Sequence, residues 1–315
     1  MKLAMLLLAV GCAVLLAIGA QTNVPAPSQP QAPEAVTGLD NQSNGFSDAN
    51  RREGDQDAFE DVEHITPDGL GPIYNAQSCR ECHQTPISGA ASQVSELRVG
   101  HLDSRGRFQN PDIPIANGYA VIKNRTLVND RAICAAVQEH VPDSEKIRTF
   151  RLTTNILGDG YVEAIPDETL LNIRRQQCRE SHGKICGQAV KVPVPESEGA
   201  DRIGRFGWKD QHASLLAFAA DAYLNEMGIT SRLQKDEVTT VCNPPVTTTV
   251  PNTDPNKITE PNDQPDAATG LEDIDLFASF MRSLKAPARD ASLASTSEAQ
   301  RGEELFRKVG CATCH

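Results

Sequence analysis

Two short stretches combine residue type and spacing in a way that does chemistry: Cys79-Arg80-Glu81-Cys82-His83, and Cys311-Ala312-Thr313-Cys314-His315 at the last five positions. Cys-x-x-Cys-His is the attachment pattern of a c-type haem, in which two thiols add to the porphyrin vinyl groups and the adjacent imidazole becomes an axial iron ligand. The spacing is mechanical, because one helical turn sets both sulfurs along one porphyrin edge while the next side chain reaches the metal. At this composition roughly 0.006 occurrences are expected by chance, so two copies are signal. Half of a zinc site or a redox dithiol would also use a Cys-x-x-Cys pair. Zinc would want its second pair much nearer, and a redox dithiol leaves the histidine after both pairs unexplained. His83 and His315 are therefore the candidate iron ligands, with Cys79, Cys82, Cys311 and Cys314 as attachment residues.

Haem is joined to thiols outside the bacterial cytoplasm, and the start of the chain agrees with that compartment. Lys2 precedes an apolar run over residues 3–18, and Ala17, Gly19 and Ala20 offer a cleavage site, so residues 1–20 read as a signal peptide. Cys12 is an alternative lipidation site, although the apolar run continues past it. No later stretch approaches 18 apolar residues, which predicts a mature chain without a transmembrane span and a periplasmic or exported location. The net charge of −12 leaves no basic stripe for nucleic acid and suits a small basic redox partner. Aromatic content is only 4%, and a buried porphyrin would supply apolar surface that aromatic rings usually provide.

Four cysteines remain after Cys12 and the two motifs: Cys134, Cys178, Cys186 and Cys242. In an oxidising compartment an even number suggests disulfides, and four allow three pairings. Cys178 with Cys186 closes the shortest loop and would leave Cys134 for Cys242; buried free thiols are the other possibility.

The elements that must position the first motif follow from local pattern. Residues 21–45 are rich in Pro, Ala and Gln and read as a flexible tether, with ordered sequence from Phe46. A Gly-Pro loop over residues 69–78 runs into the motif, where Asn75 or Ser78 is placed to cap a short helix. Tyr119 to Ile122 suggest a strand after the turn at Asn117-Gly118. Pro166-Asp167-Glu168 opens a helix, Asp210 is the expected N-cap of another running to about Met227, and Gly228 ends it. Residues 233–270 are dense in Thr, Pro, Asn and Asp and read as a surface insertion. Ile274, Phe277, Ala278, Met281 and Leu284 recur at helical spacing. Ser297 with Gln300 suggests a capping box for a helix leading into Cys311.

The run Gly69-Leu70-Gly71-Pro72-Ile73-Tyr74-Asn75-Ala76-Gln77-Ser78-Cys79-Arg80-Glu81-Cys82-His83 closely resembles the di-haem oxidoreductase family, exported bacterial proteins labelled thiol oxidoreductases or peroxidases. Residues 158–166, 204–209 and 226–230 resemble it too, and the likeness extends over residues 46–315. It implies a relation to bacterial di-haem cytochrome c peroxidases and a mainly α fold of cytochrome c-like haem domains with long loops. On this reading residues 46–286 form an N-terminal haem c domain carrying the 233–270 insertion. Residues 296–315 then begin a second cytochrome c domain that is C-terminally truncated, so its haem pocket is incomplete.

The resemblance implies two covalently attached haem c groups and an oxidoreductase, peroxidase-like in the full-length protein, with electrons passing between two haems. Its expected partners are a small electron-donor protein such as a cytochrome c or cupredoxin, and a small-molecule oxidant. Peroxide reduction needs an acid–base group beside the iron, for which Glu163 is the candidate, and Trp208 could relay electrons. Arg205 and Lys209 are candidates for the haem propionates. A sixth iron ligand from His101, His212 or Met227 would close the first site and favour the alternative, a pure electron-transfer cytochrome. Cys178 and Cys186 as a working dithiol are a third possibility.

Overall fold

The computed structural model describes residues 39–242 and 262–314. The expected signal peptide, Cys12, most of the 21–45 tether, the middle of the 233–270 insertion and His315 lie outside the described residues. Among those described, eight α-helices alternate with ten β-strands, which corrects the expectation of a mainly α fold. The strand expected at Tyr119 to Ile122 is present over Ala120–Ile122; the others escaped the sequence reading because most are only two or three residues long, too short to show an alternating pattern. Strand β2 (Ser95–Leu102) pairs antiparallel with β8 (Ile147–Leu152), β6 (Leu127–Val128) and β3 (Phe108–Gln109). Strands β1 (Ile73–Tyr74) with β7 (Arg131–Ala132), β4 (Ile113–Ile115) with β5 (Ala120–Ile122), and β9 (Lys191–Pro193) with β10 (Asp201–Ile203) form two-stranded ladders.

The helices are α1 (Ala49–Glu60), α2 (Cys79–Cys82), α3 (Asp159–Glu163), α4 (Asp167–Glu180), α5 (Leu215–Ala222), α6 (Asp273–Ser283), α7 (Ala291–Ala294) and α8 (Ser297–Val309). Helices α1, α5 and α6 build the larger core, in which Phe59, Leu215, Tyr223, Ile274, Phe277 and Phe280 are buried. The helical spacing seen for α6 is the face it buries, and each of its phenylalanines contributes about 2–3 kcal/mol by leaving water. A second core of Ile73, Val99, Ile113, Ile122 and Val128 lies among the strands. The chain is already docked at Asn44, whose backbone N–H donates to Ser283 O at 2.9 Å, two residues before the expected onset of order.

Two expected caps move. Ser214, not Asp210, caps α5, its hydroxyl accepting from Ala217 N at 3.0 Å, because Asp210 sits in a turn at φ 50°. Thr296, not Ser297, caps α8 by accepting from Ala299 N at 3.3 Å. Helix α5 continues as a π turn over Tyr223–Met227 and stops at Gly228, at φ 72°. A Cβ there would stand 2.7 Å from the Gly71 carbonyl and from Ile73 O. That close approach lets Gly71 N donate to Met227 O at 2.9 Å, and Asn75 N to Glu226 O at 2.7 Å. Gly228→Ala is expected to cost roughly 3 kcal/mol, combining left-handed backbone strain with overpacking. A shift of the urea midpoint measures it, and an unchanged midpoint would refute the close-packing account.

Both remaining cysteine pairs form disulfides, Cys134–Cys242 and Cys178–Cys186. The first ties the strand core to the start of the Thr-rich segment. No helix among the described residues is long and apolar enough to cross a membrane.

Candidate functional site

Helix α2 is a single turn, and it is held at both ends. The Ser78 hydroxyl accepts from Glu81 N at 3.2 Å, and His83 N donates to Cys79 O at 3.0 Å. Asn75, the other expected cap, instead bridges two distant segments: its Nδ2 donates to Glu226 Oε2 at 2.7 Å, and its Oδ1 accepts from Asp130 N at 3.0 Å. The attachment turn is thus fastened to the end of α5.

His83 Nδ1 lies 3.0 Å from Ala90 O. A carbonyl only accepts, so Nδ1 carries the proton and the Nε2 lone pair is left for a metal. Burial pushes the imidazole pKa down to about 4, so the ring is neutral at physiological pH. Burial also raises the pKa of both free thiols, that of Cys82 to about 11. Neutral thiols of this kind are poor redox nucleophiles, which argues against a dithiol reading of the pair.

Two cavities adjoin this turn, one of about 470 Å³ and one of about 80 Å³, and Cys82, His83, Phe218, Ala222 and Glu226 line both. The smaller is apolar, with Phe59, Phe277, Met227 and Met281 in its wall. The larger is of mixed character, with charged Glu96, Arg98, Arg151, Asp221 and Glu226 in its wall, and faces β2, β8 and α5. Glu96 and Glu226 meet there. Arg98 grips Glu96 at 2.8 and 2.6 Å, and Glu226 is hydrogen-bonded to both Asn75 and Glu96. Burial, together with the charge of Glu96 and the contact with it, raises the Glu226 pKa to about 8. Arg151 lines the same cavity, its guanidinium 5.6 Å over the Trp208 ring and without an ion-pair partner among the described residues.

The expected site residues divide. Trp208 and His212 line the larger cavity, and Met227 the smaller. His212 Nε2 is buried, with the Asp221 carboxylate 3.2 Å away. His101 is elsewhere, at the end of β2 with Nδ1 2.9 Å from Glu145. Glu163 lines neither cavity. It receives Arg282 at 2.6 and 2.9 Å and Leu215 N at 2.8 Å, and although burial opposes it, these bonds lower its pKa. Glu163 thereby clamps α3, α5 and α6 together. Arg205 is buried and holds Asp167 and the carbonyls of Glu163 and Ile165, so Arg151 is the arginine that faces the cavity. Glu96, Arg98 and Arg151 carried no sequence signal, and Glu226 showed only as part of a matching motif.

Cys311 and Cys314 lie at the turn after α8, which Gly310 ends at φ 95°, and their thiols are free. The Thr313 carbonyl between them accepts from Gln177 Nε2 of α4 at 2.7 Å. No group of three or more His, Cys, Asp and Glu side chains among the described residues converges as a metal site. A haem needs none, since the porphyrin supplies the equatorial ligands.

Two free thiols and an imidazole with an open nitrogen on one turn, beside two cavities, fit the class of haem-binding proteins. The family model described as "Di-haem oxidoreductase, putative peroxidase" matches residues 124–315, more than half of the chain, and the chain belongs to that family. The matched span includes the second Cys-x-x-Cys-His motif, and the first precedes it. No curated protein and no solved structure matches the chain.

Proposed function

We propose that this chain is an exported c-type haem protein that reduces peroxide with electrons drawn from a small donor protein such as a cytochrome c or cupredoxin. Cys79 and Cys82 form the thioethers of the first haem and His83 presents Nε2 to its iron; Cys311, Cys314 and His315 do the same for the second. When bound, the haem supplies the iron that meets peroxide and exchanges electrons. The protein's own part is to place a proton there. Hydrogen peroxide takes up two electrons and two protons to give two waters, and breaking the O–O bond requires a proton on the departing oxygen. Glu226, its carboxyl kept protonated by burial and by Glu96, faces the cavity that His83 lines, and this placement is the observation that supports the proposal most. Arg98 and Asn75 position the pair. Arg151 would grip a propionate, with Trp208 packed against it at the cavity rim.

One observation favours a second reading, electron transfer without turnover: His212 lines the same cavity as His83, and its imidazole would serve as a sixth ligand. The ferric absorption spectrum of the haem-loaded protein separates the two. A high-spin band with peroxide-dependent oxidation of reduced cytochrome c is expected. Two low-spin haems without turnover would sink the peroxidase reading, and loss of the low-spin signal in His212→Ala would then assign the ligand.

A further inference from the structure

The second attachment turn has an anchor outside its own helix. Gln177, in α4, donates from Nε2 to Thr313 O at 2.7 Å, between Cys311 and Cys314. The other end of the same amide faces Gly187, where a Cβ would stand 2.6 Å from Gln177 Oε1. Gly187 is itself tied to α4, its carbonyl accepting from Arg174 Nε at 3.0 Å. The residues beside this pair, Cys178 and Cys186, are joined by a disulfide. Within the loop they close, Gly183 N donates to Cys178 O at 2.8 Å, while Ser181 Oγ donates to Ile185 O at 2.8 Å and accepts from Ile185 N at 2.9 Å. The disulfide therefore holds the Gly187 backbone against the side chain that holds Thr313. Cys186 is exposed, so a reductant in solution has access to the bond.

We propose that the Cys178–Cys186 disulfide and Gln177 are a positioning clamp for the second haem attachment turn, and that reducing the disulfide releases it. The haem assignment of that turn rests on the function proposed above, but the clamp itself does not. A dithiol reductant would supply two electrons and two protons, the S–S bond would open to two thiols, and the reductant would leave as its own disulfide. Gly187 is then held to α4 by the Arg174 hydrogen bond alone, and the Gln177 amide loses the fixed wall that keeps it turned toward Thr313.

Amide hydrogen exchange on the haem-loaded full chain tests this without any turnover assay. Treatment with dithiothreitol is expected to speed exchange over residues 306–314 by roughly fivefold, the factor that one lost hydrogen bond sets. Gln177→Ala should give the same acceleration with the disulfide intact. Gly187→Ala should also do so, because its methyl group displaces the amide without touching either cysteine. Gln176→Ala, one position away and bonded at 2.7 Å to Glu180, should leave exchange unchanged. Unchanged exchange after reduction, or in both Gln177→Ala and Gly187→Ala, would overturn the clamp. A protein that shows the acceleration but no peroxide turnover would keep the clamp and lose the peroxidase reading.

Discussion

Glu226→Gln is expected to lower peroxide-dependent oxidation of reduced cytochrome c by roughly 100-fold or more, the scale of a lost general acid. The haem-to-chain ratio and the ferric spectrum should be unchanged. The amide keeps the shape of the side chain and can still accept from Asn75 Nδ2, but it has no proton to release to a departing oxygen. Glu96→Gln should have a smaller effect, since Glu96 answers to Arg98 and acts on the cavity through Glu226. The informative contrast is Glu163→Gln. That carboxylate is committed to Arg282 and Leu215 N and does not reach either cavity. Its loss should lower the melting temperature while turnover stays within a few-fold. The reverse pattern, with Glu163→Gln inactive and Glu226→Gln normal, would reject the cavity assignment.

The second large effect concerns stability against pH. Glu63 is buried beneath Tyr223, whose hydroxyl donates to Glu63 Oε1 at 2.8 Å, with Asp273, Asp68 and Asp61 nearby. Burial, partly offset by the phenol and reinforced by those charges, pushes the carboxyl up to about 8 from its ordinary 4.5. Below the ordinary value both folded and unfolded chains hold the proton, and above about 8 both have lost it. Between the two limits the unfolded chain ionises while the native chain does not, so native stability falls as pH rises. The loss is up to about 1.4 kcal/mol for each pH unit in that window. Asp263, raised by burial to about 7, slopes the same way over the lower part of the window. Glu63→Gln keeps the acceptor for Tyr223 and removes the titration. Urea midpoints at pH 5, 6.5 and 8 should fall steeply in the parent protein and clearly less in the variant. Identical slopes would mean that Glu63 is ionised in the native state.

The contrast between Glu163 and Glu226 shows where sequence reading stops. Both lie in stretches that match the family, and nothing in their neighbours says which one faces the haem turn. Glu163 is held by Arg282, 119 residues away, and Glu226 meets Glu96 across β2. The same limit explains the fold. Helix α6 declared itself through apolar residues at helical spacing, because its buried face is a property of one segment. Strand β2 did not, because its order comes from β8 and β6, which the chain supplies only later. The disulfide pairings were open among alternatives in sequence and became definite once the fold brought Cys134 to Cys242.

The sequence by itself determined the two Cys-x-x-Cys-His turns, since two thiols and an imidazole within one helical turn are a local pattern, together with the stop at Gly228, while it left the cap open between Asn75 and Ser78. Only the tertiary structure decided what stands around the first turn: Glu226 beside Glu96, His212 beside Asp221, and Arg151 over Trp208. The physical reason is range. Attachment and capping act across three or four residues of backbone, whereas a cavity is the space that distant segments leave when each has buried its own apolar face.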